Sequence, residues 1–136
     1  VPGFELQRNV VLSGEVMALY AANNICRAVQ HHRRAGARLG GLVVNLRGLP
    51  KEERVVALFA ESLGMPLLPA IPRDPLVQEA EAASRTIVEY APDSATARCY
   101  RDLFAAVQRS DVAALPRPTP FDDDGFEQFV VETRTL

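Results

Sequence analysis

The feature that most constrains the fold of this chain is an alternation of short aliphatic runs with longer segments of helical periodicity. Residues 9–12 and 41–45 form two such runs, and residues 65–71 form a third that contains Pro69. Strands that alternate with helices pair in parallel, because each helix carries the chain back along the sheet. The pattern therefore predicts an α/β fold of about three parallel strands with flanking helices. Proline cannot donate a ladder hydrogen bond, so Pro69 should lie at an edge or a bulge.

Helical periodicity between and after these strands predicts four helices. They span residues 15–34, 51–63, 75–83 and 94–109. Ser13 and Asp74 are candidate N-caps, Pro75 suits a first helical turn, and Gly36 and Gly64 suit helix ends. Apolar residues recur at helical spacing, so each long helix should bury one face. The side chains predicted to face inward are Ala18, Leu19, Ala22, Ile25, Cys26 and Val29 in the first helix, Val55, Leu58, Phe59 and Ser62 in the second, and Ala97, Tyr100, Phe104 and Val107 in the last.

The last part of the chain departs from this alternation. It contains prolines at positions 116, 118 and 120, followed by an acidic run at residues 122–124. Closely spaced prolines disfavour helices and central strands. The sequence therefore predicts a domain at residues 1–114 and a Pro-rich, acidic C-terminal tail at residues 115–136, with a final helical turn around residues 126–130.

Composition and charge exclude several function classes. The formal net charge of −2 supplies no strong field for nucleic acid or an acidic membrane, and the basic cluster at residues 31–34 is typical of a solvated helix end. No apolar run is long enough to cross a bilayer, and Glu5 and Arg8 interrupt any signal-like N-terminal segment. We therefore expect a cytoplasmic protein with no nucleic-acid or membrane partner. The chain begins with Val1, not Met, which is consistent with a cropped or processed product.

Polar residues follow the ends of the second and third predicted strands. In open α/β sheets, ligands bind beyond the carboxyl ends of the strands, where Asn45 and the segment Pro72-Arg73-Asp74 lie. The amide of Asn45 offers one acceptor and two donors, which suits the edge of an adenine ring. Asp74, Gln78 and Glu81 share one face of the short helix that follows. The residues alone leave plainer roles open: a turn residue, a helix cap, solvent-exposed side chains, and an ion pair for Arg73.

Motifs for phosphate binding and catalysis are missing from the sequence. It contains no G-x-x-x-x-G-K-(S/T) loop and no recognisable nucleophile–base set. Cys26 and Cys99 fall on predicted helices, are too few for an iron–sulfur cluster, and are predicted to be buried, unreactive thiols. The adjacent His31 and His32 point to different helix faces, which disfavours a shared metal. The residues alone thus predict a parallel α/β unit that binds, at most, a nucleotide at its rim, with no catalytic or metal-binding residues.

Several segments, in the same order, resemble the second half of the nitrogenase iron protein family. The most specific is Ser13 to Ile25, because its consecutive asparagines in mid-helix have poor helix propensity. The others are Arg38 to Leu42, Asn45 to Arg47, Ile71 to Asp74 with Val77-Gln78 and Ala80-Glu81, Thr86 to Tyr90, and Tyr100-Arg101. The resemblance implies a three-layer P-loop NTPase-like parallel sheet, of which this chain holds the C-terminal half.

The resemblance also implies a function. The family consists of homodimeric ATPases that hold one 4Fe-4S cluster between two subunits and deliver electrons to a reductase partner such as the nitrogenase molybdenum-iron protein. Its phosphate loop and cluster cysteines lie upstream of where this chain begins. This chain alone is therefore predicted to be inactive and to need a second copy or a complementing N-terminal half. The positions that match the adenosine end of the MgATP or MgADP site are Asn45, Pro72, Arg73, Asp74, Val77, Gln78, Glu81 and Tyr100.

Departures from the family pattern leave the branch of the family open. The stretch Ala82 to Arg85 lacks an expected basic pair, a glutamine expected near Thr96 is absent, and Leu46 replaces a small polar residue. Residues 116–129 differ from the usual nitrogenase ending and resemble, more weakly, the chlorophyllide-reductase relatives. The alternatives are an iron protein for another substrate, or a non-catalytic truncated paralogue that acts as an interaction protein. An isolated half-sheet should also expose apolar surface, and so associate or dissolve poorly.

Overall fold

The structure, a computed structural model, describes residues 9–32, 36, 38–111, 114 and 117–136. Its strands and helices follow in the order β1 (Asn9–Leu12), α1 (Val16–His31), β2 (Gly41–Val44), α2 (Glu52–Leu63), α3 (Pro75–Ala82), α4 (Ile87–Tyr90), α5 (Ala95–Arg109) and α6 (Asp123–Thr133). The limits of α2, α3 and α5 agree with the predicted ones to within one residue. The predicted end of α1, with Arg33 and Arg34 of the basic cluster, lies outside the described residues, as do Glu5 and Arg8. None of the described helices has the length and apolarity needed to cross a membrane.

The sheet is parallel and has β2 between two neighbours. β1 pairs with β2 in parallel over its whole length. On the other side of β2, parallel bridges join Leu42 to Leu67 and Asn45 to Ile71. These bridges are three positions apart on β2 but four apart on the third segment, so the third segment carries one extra residue. The predicted third strand is therefore not continuous: residues 65–71 lie alongside β2 through two isolated bridges, and the extra residue lies in the stretch that contains Pro69.

The core surrounds β2. All four residues of β2 are buried, as expected for a continuously apolar strand covered on both faces. The main apolar cluster joins β1 and β2 to α1, α2 and α6, and Leu42, Phe59 and Leu63 in it have no exposed surface. At the edge of the sheet, by contrast, Val11 of β1 is 66% exposed and Met17 of α1 is 73% exposed. Val11 and Met17 therefore present apolar side chains to solvent.

The helix starts were partly predicted. Asp74 caps α3, since its Oδ1 accepts a 3.0 Å hydrogen bond from the Leu76 N–H. Ser13 does not cap α1, because the N-cap is Glu15 and the Ser13 hydroxyl only accepts a 3.4 Å contact from the Glu15 N–H. The prediction for Ser13 is wrong because α1 begins at Val16, so that Ser13 lies two residues before the N-cap. The four-residue helix α4, capped by Thr86, was not predicted.

The buried faces of the helices differ from those predicted. In α1 the fully buried residues are Leu19, Ala22, Asn23 and Cys26, while Ile25 is 46% exposed. In α2 Ser62 is exposed, and in α5 Phe104 is 64% exposed. The predictions for Ile25, Ser62 and Phe104 are therefore wrong. Helical spacing identified apolar positions, but it could not show that a polar residue, Asn23, would form part of the buried face.

The C-terminal residues form a docked helix, longer than the single turn predicted. Asp122 caps α6 by accepting a 2.7 Å hydrogen bond from the Gly125 N–H, and two acidic residues follow in the first turn, where the helix dipole favours them. Phe126 and Phe129 of α6 belong to the main apolar core. The acidic run therefore marks a helix N-terminus, and this segment is part of the folded unit.

Candidate functional site

The carboxyl ends of β2 and the third segment meet at one rim of the sheet. The Asn45 N–H donates to the Leu12 carbonyl at 2.8 Å, and the Leu46 N–H donates to the Ile71 carbonyl at 2.8 Å. Asn45 is thus bridged to the residue that immediately precedes Pro72. Its own side chain is exposed. The two polar groups that the sequence placed at strand ends are therefore neighbours.

Arg73 links this rim to the loop that follows β2. Its Nη1 donates a long, 3.4 Å hydrogen bond to the carbonyl of Arg47. Pro72 and Arg73 line an open cavity of about 420 Å³ together with Leu46, Gly48 and Leu49 of that loop and the first residues of α2. A concave surface therefore runs from the Pro72–Arg73 segment to the start of α2.

Asp74 connects α3 to α5. One carboxylate oxygen caps α3 through the Leu76 N–H, and the other accepts a 2.6 Å hydrogen bond from the hydroxyl of buried Thr96. The Thr96 hydroxyl first, and then the Leu76 N–H, lower the pKa of Asp74 below its ordinary value of 3.8. In the sequence, Thr96 was evident only as a departure from the family pattern. Its position shows that it fixes the carboxylate that follows Arg73.

The substitution Thr96→Val tests this contact. Valine has the same shape but cannot donate, so the pKa of Asp74 should rise towards 3.8. Because the folded-state pKa is lowered, the stability that Asp74 contributes is present above the unfolded-state pKa and is lost as the pH falls through the folded-state value. In Thr96→Val this contribution should be smaller, and its loss should be complete at a higher pH. Carbon-13 NMR of the Asp74 carboxyl measures the pKa, and Thr119→Val, at an exposed threonine, is the control. An unchanged Asp74 titration in Thr96→Val would contradict the assignment.

The remaining candidate residues lie on α3 and α5. Gln78 and Glu81 are exposed on α3 and Val77 is half-buried. Tyr100 lies one turn after Thr96 on α5 and lines an apolar cavity of about 500 Å³ with Val88, Leu103, Phe104 and Val107. No hydrogen bond within the described ranges joins Gln78, Glu81 or Tyr100 to Asn45. The structure thus brings Asn45, Pro72 and Arg73 together directly, and ties α5 to them through Asp74.

Glu52 is a residue at this rim that sequence reasoning missed. It is the first residue of α2, only 4% exposed, and its carboxylate accepts four backbone hydrogen bonds. Oε1 accepts from Arg47, Gly48 and Leu49 at 2.8, 3.0 and 3.3 Å, and Oε2 accepts from Gly14 at 2.8 Å. Burial alone would raise the pKa of Glu52, but the four N–H donors outweigh it and hold this pKa below its ordinary value of 4.5. A buried anion thus joins the loops that follow β1 and β2.

The cysteines do not form a cluster site. Cys26 is completely buried on α1, and burial raises the pKa of its thiol to about 11, so it stays protonated. Cys99 lies half-buried on α5. Across the described residues, no group of three or more His, Cys, Asp or Glu side chains is placed to hold a metal ion. These residues do not fit an iron–sulfur cluster, which needs several thiolates at one place.

These features define a parallel α/β protein with a polar rim at the carboxyl ends of its central strands. A sequence model of the family described as 4Fe-4S iron sulfur cluster binding proteins, NifH/frxC family, matches residues 6–135. The chain belongs to this family, whose members have a P-loop NTPase fold, and the expected fold class is confirmed by the parallel sheet and its flanking helices.

Two curated relatives extend this comparison. The chain is 39% identical over 124 residues to a nitrogenase iron protein of Methanospirillum hungatei, a match that covers 89% of this chain and 44% of the relative. It is 42% identical over 120 residues to nitrogenase iron protein 2 of Methanothermobacter thermautotrophicus, covering 88% of this chain and 43% of the relative. The chain therefore spans less than half of the length of these relatives.

Proposed function

We propose that this chain supplies the adenosine side of the ATP site in an iron protein of the nitrogenase type, the ATP-dependent electron donor of a nitrogenase or related reductase. Membership of the family supports the class of protein. The main structural support for the location of the site is the parallel bridge between Asn45 and Ile71, which makes Asn45 a neighbour of Pro72 and Arg73. Ligands of open parallel sheets bind beyond such strand ends.

The side chains at this rim suit the base and sugar of a purine nucleotide. The exposed amide of Asn45 makes no hydrogen bond to another described residue, so its acceptor and its two donors remain free for a ring edge. Asp74 fixes the Pro72–Arg73 segment by its bonds to α3 and α5. In this proposal the other matching residues, Val77, Gln78, Glu81 and Tyr100, surround the adenosine from α3 and α5.

The remaining parts of the activity belong to protein outside this sequence. A G-x-x-x-x-G-K-(S/T) loop would bind the phosphates and Mg²⁺ of MgATP or MgADP, and thiolates other than Cys26 and Cys99 would hold the 4Fe-4S cluster. We propose that a complementing N-terminal half provides these groups, that the assembled protein is a homodimer, and that a component like the nitrogenase molybdenum-iron protein accepts the electrons. The exposed Val11 and Met17 beside β1 support association on that side. We place the complex in the cytoplasm.

Titration of the 136-residue chain with adenosine and with ATP, followed by amide NMR, tests the adenosine site. Because no phosphate loop is present in the sequence, adenosine and ATP should bind with similar, weak affinity and perturb the amides of Asn45 and Arg73. Asn45→Ala should weaken the binding of adenosine and of ATP by about tenfold, which is the effect of removing the hydrogen bonds of one side chain. Asn24→Ala, at an exposed asparagine of α1, is the matched control and should bind as the unchanged chain does. The proposal fails if neither ligand perturbs the rim, or if both variants bind alike.

A further inference from the structure

Two loops at the rim are joined by a single buried carboxylate. The loop after β1 donates the Gly14 N–H to Oε2 of Glu52, and the loop after β2 donates the N–H groups of Arg47, Gly48 and Leu49 to Oε1. Each carboxylate oxygen thus serves one loop. The second link between these loops, a 3.2 Å ion pair of Glu15 with Arg47, is between side chains that are about half exposed and therefore contributes little.

The close approach of Gly14 to Glu52 is an independent sign of this arrangement. A Cβ built on Gly14 would lie 2.5 Å from Cγ and 3.2 Å from Oε2 of Glu52, far closer than non-bonded carbon atoms approach. Only glycine allows the backbone of the first loop to reach the carboxylate without moving it. The residue types at positions 14 and 52 are therefore fitted to each other.

The loop that Glu52 holds is also the loop that Arg73 contacts. The Arg47 N–H donates to Glu52, and the carbonyl of Arg47 accepts from Nη1 of Arg73. Asn45 lies two residues before Arg47 on the same strand end. The proposed adenosine site is thus connected to the loop after β1 by the buried carboxylate of Glu52, in addition to the exposed Glu15–Arg47 ion pair.

We propose that Glu52 is a positioning residue that couples the rim around Asn45 and Arg73 to the Ser13–Gly14 loop, so that occupation of the rim is transmitted to the start of α1. The coupling to a nucleotide depends on the adenosine site proposed above. The connection between the two loops does not, and it can be measured without any ligand.

The substitution Glu52→Gln separates the two halves of this connection. The glutamine oxygen can keep the three donors of residues 47–49, but its NH₂ group then faces the Gly14 N–H, and two donors cannot bond. Amide hydrogen exchange of Gly14 should speed up by about tenfold, the effect of losing one hydrogen bond to a charged acceptor. The amides of Arg47, Gly48 and Leu49 should keep their protection. Glu61→Gln, at an exposed glutamate of the same helix, should leave all four amides unchanged.

The outcomes separate this role from general destabilisation and from the nucleotide proposal. If Glu52→Gln accelerates exchange equally at Gly14, at residues 47–49 and in the core of β2, Glu52 only contributes to global stability and the coupling is refuted. Unchanged exchange at Gly14 also refutes it. In the adenosine titration, the coupling predicts that the Gly14 amide shifts with Asn45 in the unchanged chain, and that in Glu52→Gln the Asn45 amide responds without Gly14. A shift of Asn45 without Gly14 in the unchanged chain contradicts the coupling, whereas the absence of any rim response contradicts the adenosine site alone.

Discussion

Phe59→Ala is expected to lower the free energy of unfolding by about 3–5 kcal/mol, the range typical of removing a large aromatic side chain from a core. Phe59 has no exposed surface, and its ring centroid lies 6.2 Å from that of Phe121 and 5.8 Å from that of Phe129. The truncation removes apolar contacts and leaves a cavity between α2 and the C-terminal segment. Urea denaturation followed by circular dichroism measures the change.

Phe104→Ala is the matched control for this prediction. Phe104 is 64% exposed on α5, so its truncation should change stability by no more than about 0.5 kcal/mol. The comparison holds the chemical change constant and varies only burial. If the two variants lose similar stability, the core does not lie where α2 meets α6.

The order and limits of the main elements were predictable from local sequence. β2 is continuously apolar, β1 is apolar after Asn9, and Gly64, Asp74 and Pro75 indicated where helices end and begin. Each of these signals acts within a few residues, so one sequence is enough to read it. The meeting of Asn45 with Pro72 and Arg73 was predictable for a different reason. Carboxyl ends of adjacent parallel strands must lie at the same edge of their sheet.

The buried faces were less predictable because they depend on which element packs on which. The C-terminal segment packs on α1 and α2. Its hydrogen bonds to Asn23 bury that residue in α1, whereas Ile25 stays exposed. Prolines at 118 and 120 suggested an extended tail, but buried Pro118 and the Thr119 N–H bond to the Leu63 carbonyl at 2.8 Å hold the chain against α2. Contacts between positions almost one hundred residues apart leave no local signal.

Glu52 was missed for a related reason. Its partners are backbone N–H groups of other loops, which every sequence possesses, so Glu52 and the exposed Glu53 beside it look alike in the sequence. An acidic residue in a first helical turn is common, because the helix dipole favours it there. Only the meeting of the loops after β1 and β2 distinguishes the buried carboxylate from a surface one.

Asn23→Ala is expected to lower the free energy of unfolding by about 2–4 kcal/mol, since it leaves two half-buried backbone groups without partners. The Asn23 side chain, 1% exposed, donates to the Phe121 carbonyl at 3.0 Å and accepts from the Phe121 N–H at 2.8 Å. This pair fixes Phe121 against Phe59, Phe126 and Phe129. Urea denaturation measures the loss, and hydrogen exchange across residues 117–136 should show that protection of α6 falls first.

Two neighbours on α1 show whether Asn23 itself docks the C-terminal segment. Asn24→Ala removes an exposed amide from the next position, and Arg27→Ala removes an exposed 2.9 Å ion pair with Asp123, so each should cost less than about 1 kcal/mol. The exposed ion pair lies on the same contact between α1 and α6, yet solvent screens it, whereas the Asn23 bonds are shielded from water. If Arg27→Ala releases α6 as much as Asn23→Ala does, the buried amide is not what fastens this helix. If only Asn23→Ala releases α6, the Asn23 side chain fixes Phe121, 98 residues away, against α1. This contact then explains why an asparagine of low helix propensity lies in the middle of α1.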